Sequence, residues 1–250
     1  MEKIVQTIVN AKKLIVFTGA GISKASGIQT FRDMDGLWKD FDPQVYATFD
    51  GFINDPEKVW KWYLYRYDKI KQAKPNEGHY FVATLENYFK SFAVITQNVD
   101  GLHQKAGSKN VIELHGSIHR VKCISCKNKL SMDDINFDII PPLCECGGLL
   151  RPDVVWFGEA LPEKELTYAF DFARNADVVI VIGTSCVVYP AAEIPYIVKR
   201  IGGKIIELNP EYTQLTPYVD FHISNLDSDF YKKLISEVKS AFREGSDNGE

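Results

Sequence analysis

Five short runs of apolar, mostly β-branched residues punctuate the chain: "LIVFTGAG", "FAVITQN", "DVVIVIGTS", "GGKIIELNP" and "YVDFHIS". Each ends at glycine or a polar turn. Their apolarity is continuous rather than alternating, which predicts strands covered on both faces. Helical patterns lie between them. Strands alternating with helices predict an α/β fold built on a doubly wound parallel sheet. Ligands of such sheets bind beyond the carboxyl ends of the strands. The polar residues after each run are therefore the first candidates for a site: residues 19–23, 97–100, 183–185 and 209–211. The opening "MEKIVQTIVNAKK" reads as an amphipathic helix of mixed charge, not as a secretion signal. The longest nearly uncharged run, residues 178–198, contains glycine, two prolines and Glu193. It predicts a buried strand, a turn and a helix rather than a membrane span.

Two segments break this rhythm. Residues 31–78 are rich in aromatics and mostly helical in pattern. Residues 120–150 hold four of the five cysteines. There is no internal repeat and no low-complexity tract. The polar ending "REGSDNGE" has little to bury and is expected to be disordered over residues 244–250.

Composition changes this picture little. The 250 residues are 45% hydrophobic and 25% charged, as in ordinary globular proteins, and the net charge of −4 offers no broad basic surface for nucleic acid. A cytoplasmic protein without a membrane anchor is expected, and its cysteines are then unlikely candidates for disulfides.

The first candidate chemistry is "LIVFTGAGISKASGI", a strand followed by a tight glycine turn and a helix start. Gly19 and Gly21 would let backbone N–H groups approach a diphosphate. The third glycine of the dinucleotide pattern is replaced by Lys24. The ribose-binding acid of an ordinary dehydrogenase is also missing from its usual place, which weighs against simple hydride transfer. A glycine turn without a ligand remains the alternative on these residues alone.

The second is the cysteine quartet. Cys123 and Cys126 form a C-x-x-C pair, and after seventeen residues Cys144 and Cys146 form a C-x-C pair. Four thiolates in two close pairs suit a closed, tetrahedral, structural zinc site. A redox dithiol is the competing reading, but neither pair sits at a strand–helix junction. A zinc ribbon can also bind nucleic acid, and Arg120, Lys122, Lys127 and Lys129 lie nearby. Asp133, Asp134 and Asp138 offset them, and no direct nucleic-acid partner is expected. Cys186 stands apart as a core residue.

Together, "GAGISKASGIQTFRDMDGLW", "TQNVDGLH", "ELHG", "RPDVVWFGE", "GTSCVVYPAAEIP", "ELNP" and the cysteine quartet resemble the sirtuin family of NAD-dependent protein deacylases. The motifs occur in order from about residue 14 to about residue 211. Two details depart from the commonest pattern: the C-x-C zinc pair, and "FRD" where many members have "FRG". The resemblance implies a Rossmann-like NAD-binding domain over residues 1–30, 79–119 and 151–243. A small domain is inserted in it, with a helical module at 31–78 and a zinc-binding module at 120–150. It implies NAD and one structural zinc ion as cofactors. The implied reaction passes an acyl group from lysine to ADP-ribose, leaving nicotinamide, O-acyl-ADP-ribose and free lysine.

The resemblance also assigns residues. His115 of "ELHG" matches the base for a ribose hydroxyl, a role that suits an imidazole near neutral pH. Asn98 and Asp100 match contacts to ribose and the nicotinamide amide, with Gln97 in support. Gly19, Ala20, Gly21 and Ile22 belong to the phosphate-binding turn. Ile28, Phe31 and Arg32, with Ala20, resemble the cofactor loop. Gly183, Thr184 and Ser185 match phosphate and ribose contacts, and Asn209 the adenosine ribose. Glu211 and Asp227 are candidates at the adenine end. An acyl-lysine peptide is expected as an added strand between Val155, Phe157, Gly158 and Glu159 on one side and the stretch around Val188 on the other. His103 receives no chemistry, and His79, His119 and His222 match no catalytic position.

Within "WKWYLYRYDK", Tyr63 and Arg66 are spaced to share a helix face. They resemble the Tyr-x-x-Arg pair of the branch that removes succinyl and malonyl groups, where the pair binds the acyl carboxylate. Ala47 resembles the small residue that makes room for a longer acyl chain. Packing of Tyr63 in the core with Arg66 in solvent is the plain alternative. Mono-ADP-ribosyl transfer, or a non-catalytic NAD- and zinc-binding regulatory module, are the alternatives for the whole.

Overall fold

The computed structural model describes residues 1–29 and 42–247, with side chains through residue 244. The expected loop residues Phe31 and Arg32 lie outside them. Nine strands are described: β1 Lys13–Thr18, β2 Ser91–Thr96, β3 Val111–Glu113, β4 Gly116–Cys123, β5 Lys129–Ser131, β6 Leu150–Val154, β7 Val178–Ile182, β8 Lys204–Leu208 and β9 Phe221–Ile223. The helices are α1 Glu2–Val9, α2 Pro43–Tyr46, α3 Phe49–Asn54, α4 Pro56–Gln72, α5 Glu77–Glu86, α6 Leu102–Lys105, α7 Glu163–Ala173, α8 Glu193–Arg200 and α9 Ser228–Asp247.

Six strands form one sheet in the order β3-β2-β1-β7-β8-β9, every pair parallel. This is the doubly wound α/β architecture, and its order reverses between β1 and β7. Side chains of β1 alternate between two cores, as a strand buried on both faces must. Leu14 and Val16 pack with α1, α5 and α9, whereas Ile15 and Phe17 pack with α7 and α8. The five apolar runs thus became β1, β2, β7, β8 and β9. Residues 178–198 fold as the expected strand, turn and helix start, and no described helix is long and apolar enough to cross a membrane.

The register aligns the strand ends. Thr18 pairs with Thr96 and Ile182, Thr96 with Glu113, and Ile182 with Leu208. The residues that follow therefore leave the sheet on one level. Backbone bonds confirm it: the N–H groups of Gly19, Gln97, Leu114 and Gly183 donate to the carbonyls of Ile182, Thr18, Thr96 and Leu208 at 2.9–3.1 Å.

A second, antiparallel sheet has the order β5-β4-β6 and carries the cysteine quartet. It packs with α3 and α4 around a third core that includes Phe52, Trp60, Tyr63, Ile118, Val121 and Trp156. Because β4 starts at Gly116 and β6 ends at Val154, this sheet reaches past the expected 120–150 module at both ends. At the end of the chain, α9 continues to Asp247, into the stretch expected to be disordered. Its preceding turns bury Tyr231, Leu234 and Val238, and each further residue adds a backbone bond to a helix already nucleated.

Candidate active site

The crevice at the reversal point is built by two interlocked glycine turns. The 3-10 turn Ala20–Ser26 follows β1 directly, and Gly27 closes it with a left-handed φ of 81°. A Cβ on Gly21 would lie 2.7 Å from the Cα of Gly183, which itself has φ +59°. Only glycine allows the β1 and β7 turns to approach this closely, and the Gly21 N–H donates to the Gly183 carbonyl at 2.8 Å. The sequence pattern anticipated a helix start here; the structure has a single 3-10 segment.

Polar side chains lock the row of loops together. Gln97 Nε2 donates to the Thr184 hydroxyl at 2.9 Å, across β1. Asn209 Nδ2 donates to the Thr184 carbonyl at 2.9 Å, and its Oδ1 accepts from the Glu211 N–H. Asn98 Nδ2 donates to the Gly19 carbonyl and contacts the Ser23 hydroxyl, at 3.1 and 3.2 Å. Carbonyl oxygens only accept, so the Asn98 amide orientation is determined, with its NH2 group toward the glycine turn.

Asp100 is 6% exposed. One carboxylate oxygen accepts from the Ser23 hydroxyl at 2.7 Å and the other from the Leu102 N–H at 2.9 Å. Behind Ser23 lies His79, whose Nδ1 accepts from the Asn76 N–H and whose Nε2 is 3.4 Å from the Ser23 hydroxyl. Burial pulls the His79 pKa down to about 4, against the opposing pull of Asp100. His103, also buried, sits 2.9 Å from the Thr18 hydroxyl, and burial lowers its pKa to about 3. Ser23 and His79 had no assigned role in the sequence. The one local signal was the N-cap pattern Asn76-x-x-His79; their approach to Asp100 is tertiary.

His115 leaves β3 at the same edge. Its Nδ1 lies 2.9 Å from the Gln97 carbonyl. The carbonyl must accept, so Nδ1 carries the hydrogen and Nε2 keeps its lone pair. Burial lowers the His115 pKa, and the Gln97 carbonyl partly opposes this. The neutral imidazole is thereby favoured, with its basic nitrogen set by a fixed tautomer. Gly116 follows with φ +77°, and any Cβ there would press into the Asp153 carbonyl. The chain can turn from His115 into β4 only with glycine at this position.

Tyr63 and Arg66 both lie on α4. Tyr63 is 2% exposed, packed among aromatics, and its hydroxyl accepts from Trp156 Nε1 at 2.8 Å. Arg66 is half-buried, with its guanidinium 5.4 Å from the Trp62 ring centre. Burial lowers its pKa, while Tyr63 and Asp100 act in the opposite direction. Tyr63 is thus a core residue whose polar tip is engaged, and Arg66 is not simply solvated.

Phe157 and Val188 are exposed, at 56% and 48%, and Gly158 is exposed too. Val155 N–H donates to the His115 carbonyl, and Phe157 N–H to the Ala47 carbonyl. Glu159 instead faces inward, held by buried Arg151 and by the Trp156 N–H. Asp227 accepts from the Phe230 N–H and so caps the first turn of α9.

The four cysteine sulfurs lie within 4.8 Å of one another. Cys123 to Cys146 is 3.5 Å and Cys126 to Cys144 is 3.7 Å. A tetrahedron with metal–sulfur bonds of about 2.3 Å has edges of about 3.8 Å, so the arrangement fits zinc. Cys186 is buried, away from this cluster in the second core.

The profile of the Sir2 family matches residues 19–190. The NAD-dependent protein deacylase of Pyrococcus furiosus is 51% identical over 245 residues, covering 96% of this chain and 98% of that protein. The chain belongs to the Sir2 family. Among solved structures, a mutant Sir2 homologue in complex with ADP-ribose superposes with a TM-score of 0.91 at 47% identity, covering 97% and 98% of the two chains. A Sir2 complex with a p53 peptide and NAD+ has a TM-score of 0.85 at 36% identity, covering 95% and 98%. The parallel sheet and the four-cysteine cluster agree with the Rossmann-like fold and the zinc-binding module that the sirtuin resemblance implied; the six-strand count and the separate antiparallel sheet are added by the structure.

Proposed function

We propose that this protein is an NAD-dependent protein-lysine deacylase whose acyl site accepts succinyl and malonyl groups as well as acetyl. The observation that carries the deacylase reading is His115: a desolvated imidazole just past the carboxyl end of β3, with Nδ1–H on the Gln97 carbonyl and Nε2 left as a base. The close relatives bearing the deacylase name support it.

NAD, when bound, would supply the ribose that loses nicotinamide and takes up the acyl group, and one water would complete the cleavage of the amide, so the products are free lysine, nicotinamide and O-acyl-ADP-ribose. Gly19, Ala20, Gly21, Ile22, Gly183, Thr184 and Ser185 would hold the diphosphate and its riboses. Asn98 and Asp100 would orient the nicotinamide end, with Asp100 kept in place by Ser23. Ile28 borders the same turn, and Asn209, Glu211 and Asp227 are assigned to the adenosine end. His115 Nε2 takes a proton from a ribose hydroxyl as the acyl group transfers. The exposed Phe157 and Gly158, with the half-buried Val155, and the stretch around Val188 are read as edges for an acyl-lysine peptide lying as an added strand, and Glu159 would support the first edge from within through Arg151. Cys123, Cys126, Cys144 and Cys146 hold the structural zinc.

The dicarboxylic part of the reading rests on Tyr63 and Arg66. A partly desolvated guanidinium on the same helix face as a tyrosine hydroxyl gains more from a carboxylate than a fully hydrated one would. The protein should release nicotinamide from NAD only when an acetyl, malonyl or succinyl peptide is present, and His115→Ala should abolish that release. ADP-ribose appearing on protein without any dependence on acyl-lysine would replace this reading with mono-ADP-ribosyl transfer.

A further inference from the structure

The loop that carries Asn98 and Asp100 is held from the front by Ser23 and the glycine turn. Its back is held by β4. The Ile118 N–H donates to the Val99 carbonyl at 3.0 Å. The next residue, His119, places Nε2 2.9 Å from the Asp100 carbonyl. That oxygen only accepts, so His119 Nε2 carries a hydrogen and donates it. The following residue is Gly101, with φ +69°, and a Cβ there would lie 2.9 Å from the His119 ring. The histidine ring thus occupies the space that a side chain at 101 would need.

On its other side the His119 ring meets Tyr67 of α4 edge-on, with centroids 5.5 Å apart. Tyr67 is itself tied down, its hydroxyl donating to Asp133 at 2.9 Å. His119 therefore stands between a helix of the small domain and the backbone of Asp100. It borders a cavity of about 420 Å³ on the side of the loop away from Ser23, lined also by Lys71, Lys105, Glu113 and Arg120. The cations of that lining are already engaged: Lys71 with Asp133, Arg120 with Glu113 and Asp153, Lys105 with the carbonyls of Lys71 and Ala73. The lining thus selects no ligand, and its significance is the strut it contains.

We propose that His119 is a positioning residue for the nicotinamide end of the cofactor site, setting the height of Asp100 through its backbone carbonyl. The proposal rests on the assignment of Asp100 to that end of the site made above. It concerns only the end of NAD that ADP-ribose lacks, and this separates it from a general role in folding.

The test compares NAD and ADP-ribose binding and nicotinamide inhibition in His119→Ala, His119→Asn and His119→Gln. A glutamine amide reaches the place of Nε2, whereas asparagine stops at the place of Nδ1. His119→Ala and His119→Asn should weaken NAD binding and nicotinamide inhibition by about fivefold, the effect of one lost hydrogen bond. ADP-ribose affinity and the KM for acyl peptide should change by less than about twofold, since neither involves the loop's nicotinamide contact. His119→Gln should restore most of the loss; if His119→Ala fails to fold, the asparagine–glutamine pair carries the comparison. Equal weakening of NAD and ADP-ribose, or no difference between asparagine and glutamine, overturns the proposal. Asp100→Ala run alongside separates the two levels. If it lowers nicotinamide sensitivity while the His119 variants do not, the strut is wrong. If it leaves that sensitivity unchanged, the assignment of Asp100 falls and the strut with it.

Discussion

As the proposed base, His115 depends on one unreactive neighbour and on its own burial. The Gln97 carbonyl fixes which nitrogen is bare, and burial lowers the affinity of the ring for a second proton. A base works in its unprotonated form, so a lowered pKa extends activity to lower pH. The acid limb of the kcat/KM profile should therefore lie below the ordinary imidazole value of 6.5. A limb at or above that value would mean that another group controls the reaction. Arg66 makes a separate prediction at the same scale. Arg66→Met should depress desuccinylation by about tenfold or more, as expected for losing a charge-assisted bond, and should leave deacetylation nearly unchanged. Equal losses on both substrates would remove the clamp. Tyr63→Phe is the less clean variant, because it also strips the buried Trp156 indole N–H of its acceptor.

Between elements, the connection that matters most is β4. It begins at Gly116, one residue after the proposed base His115, and ends at Cys123, one of the four clustered cysteines that could hold a metal ion. The proposed base and the cysteine cluster flank opposite ends of one strand. Removing zinc with a chelator, or by Cys144→Ala, should loosen the three-stranded sheet and lower deacylase activity, while the parallel sheet stays folded. Metal content, activity and far-ultraviolet circular dichroism measured together check this; a zinc-free protein with full activity would count against it. At this scale much of the fold was legible. The long strands announced themselves because both faces are buried and every residue is apolar. β3 did not, because three residues of "VIE" carry no period and owe their state to pairing with β2. The limits of the small sheet were also obscure, since β4 and β6 run straight through the expected boundaries. The polar end of α9 is helical because of the turns before it, not because of its own composition.

Across the whole molecule, two buried histidines couple folding to acid. His79 and His103 are held neutral, with pKa values of about 4 and about 3 against the ordinary 6.5. Below pH 6.5 the unfolded chain binds protons that the native state refuses, so stability is intact above that value and drains away as pH falls. Each such histidine adds a slope of about 1.4 kcal/mol per pH unit in this window. Denaturant unfolding of His103→Gln should show a shallower decline between pH 6 and pH 4, in line with the shift of the His103 pKa from 6.5 to about 3. An unchanged slope would show that His103 does not titrate on unfolding. The site was legible only where it follows the backbone: Gly19, Gln97, Asn98, Gly183 and Asn209 all leave strand ends on one level. Ser23, His79 and His119 act through contacts between segments far apart in sequence, which no local pattern records.

The tryptophans are distributed unevenly between the two bodies of the fold. Trp60, Trp62 and Trp156 all pack in the core of the small domain, and the fourth, Trp38, lies outside the described residues. Among the described residues, the two cores flanking the parallel sheet contain none. Trp156 has the Arg151 guanidinium 3.2 Å from its ring centre and donates to Tyr63. Light absorbed by Trp60, Trp62 and Trp156 is therefore emitted from the core beside the small sheet and not from the two cores of the parallel sheet. Emission from these three is a local gauge, an optical label already placed on the part of the molecule that carries the four cysteines, Tyr63 and Arg66.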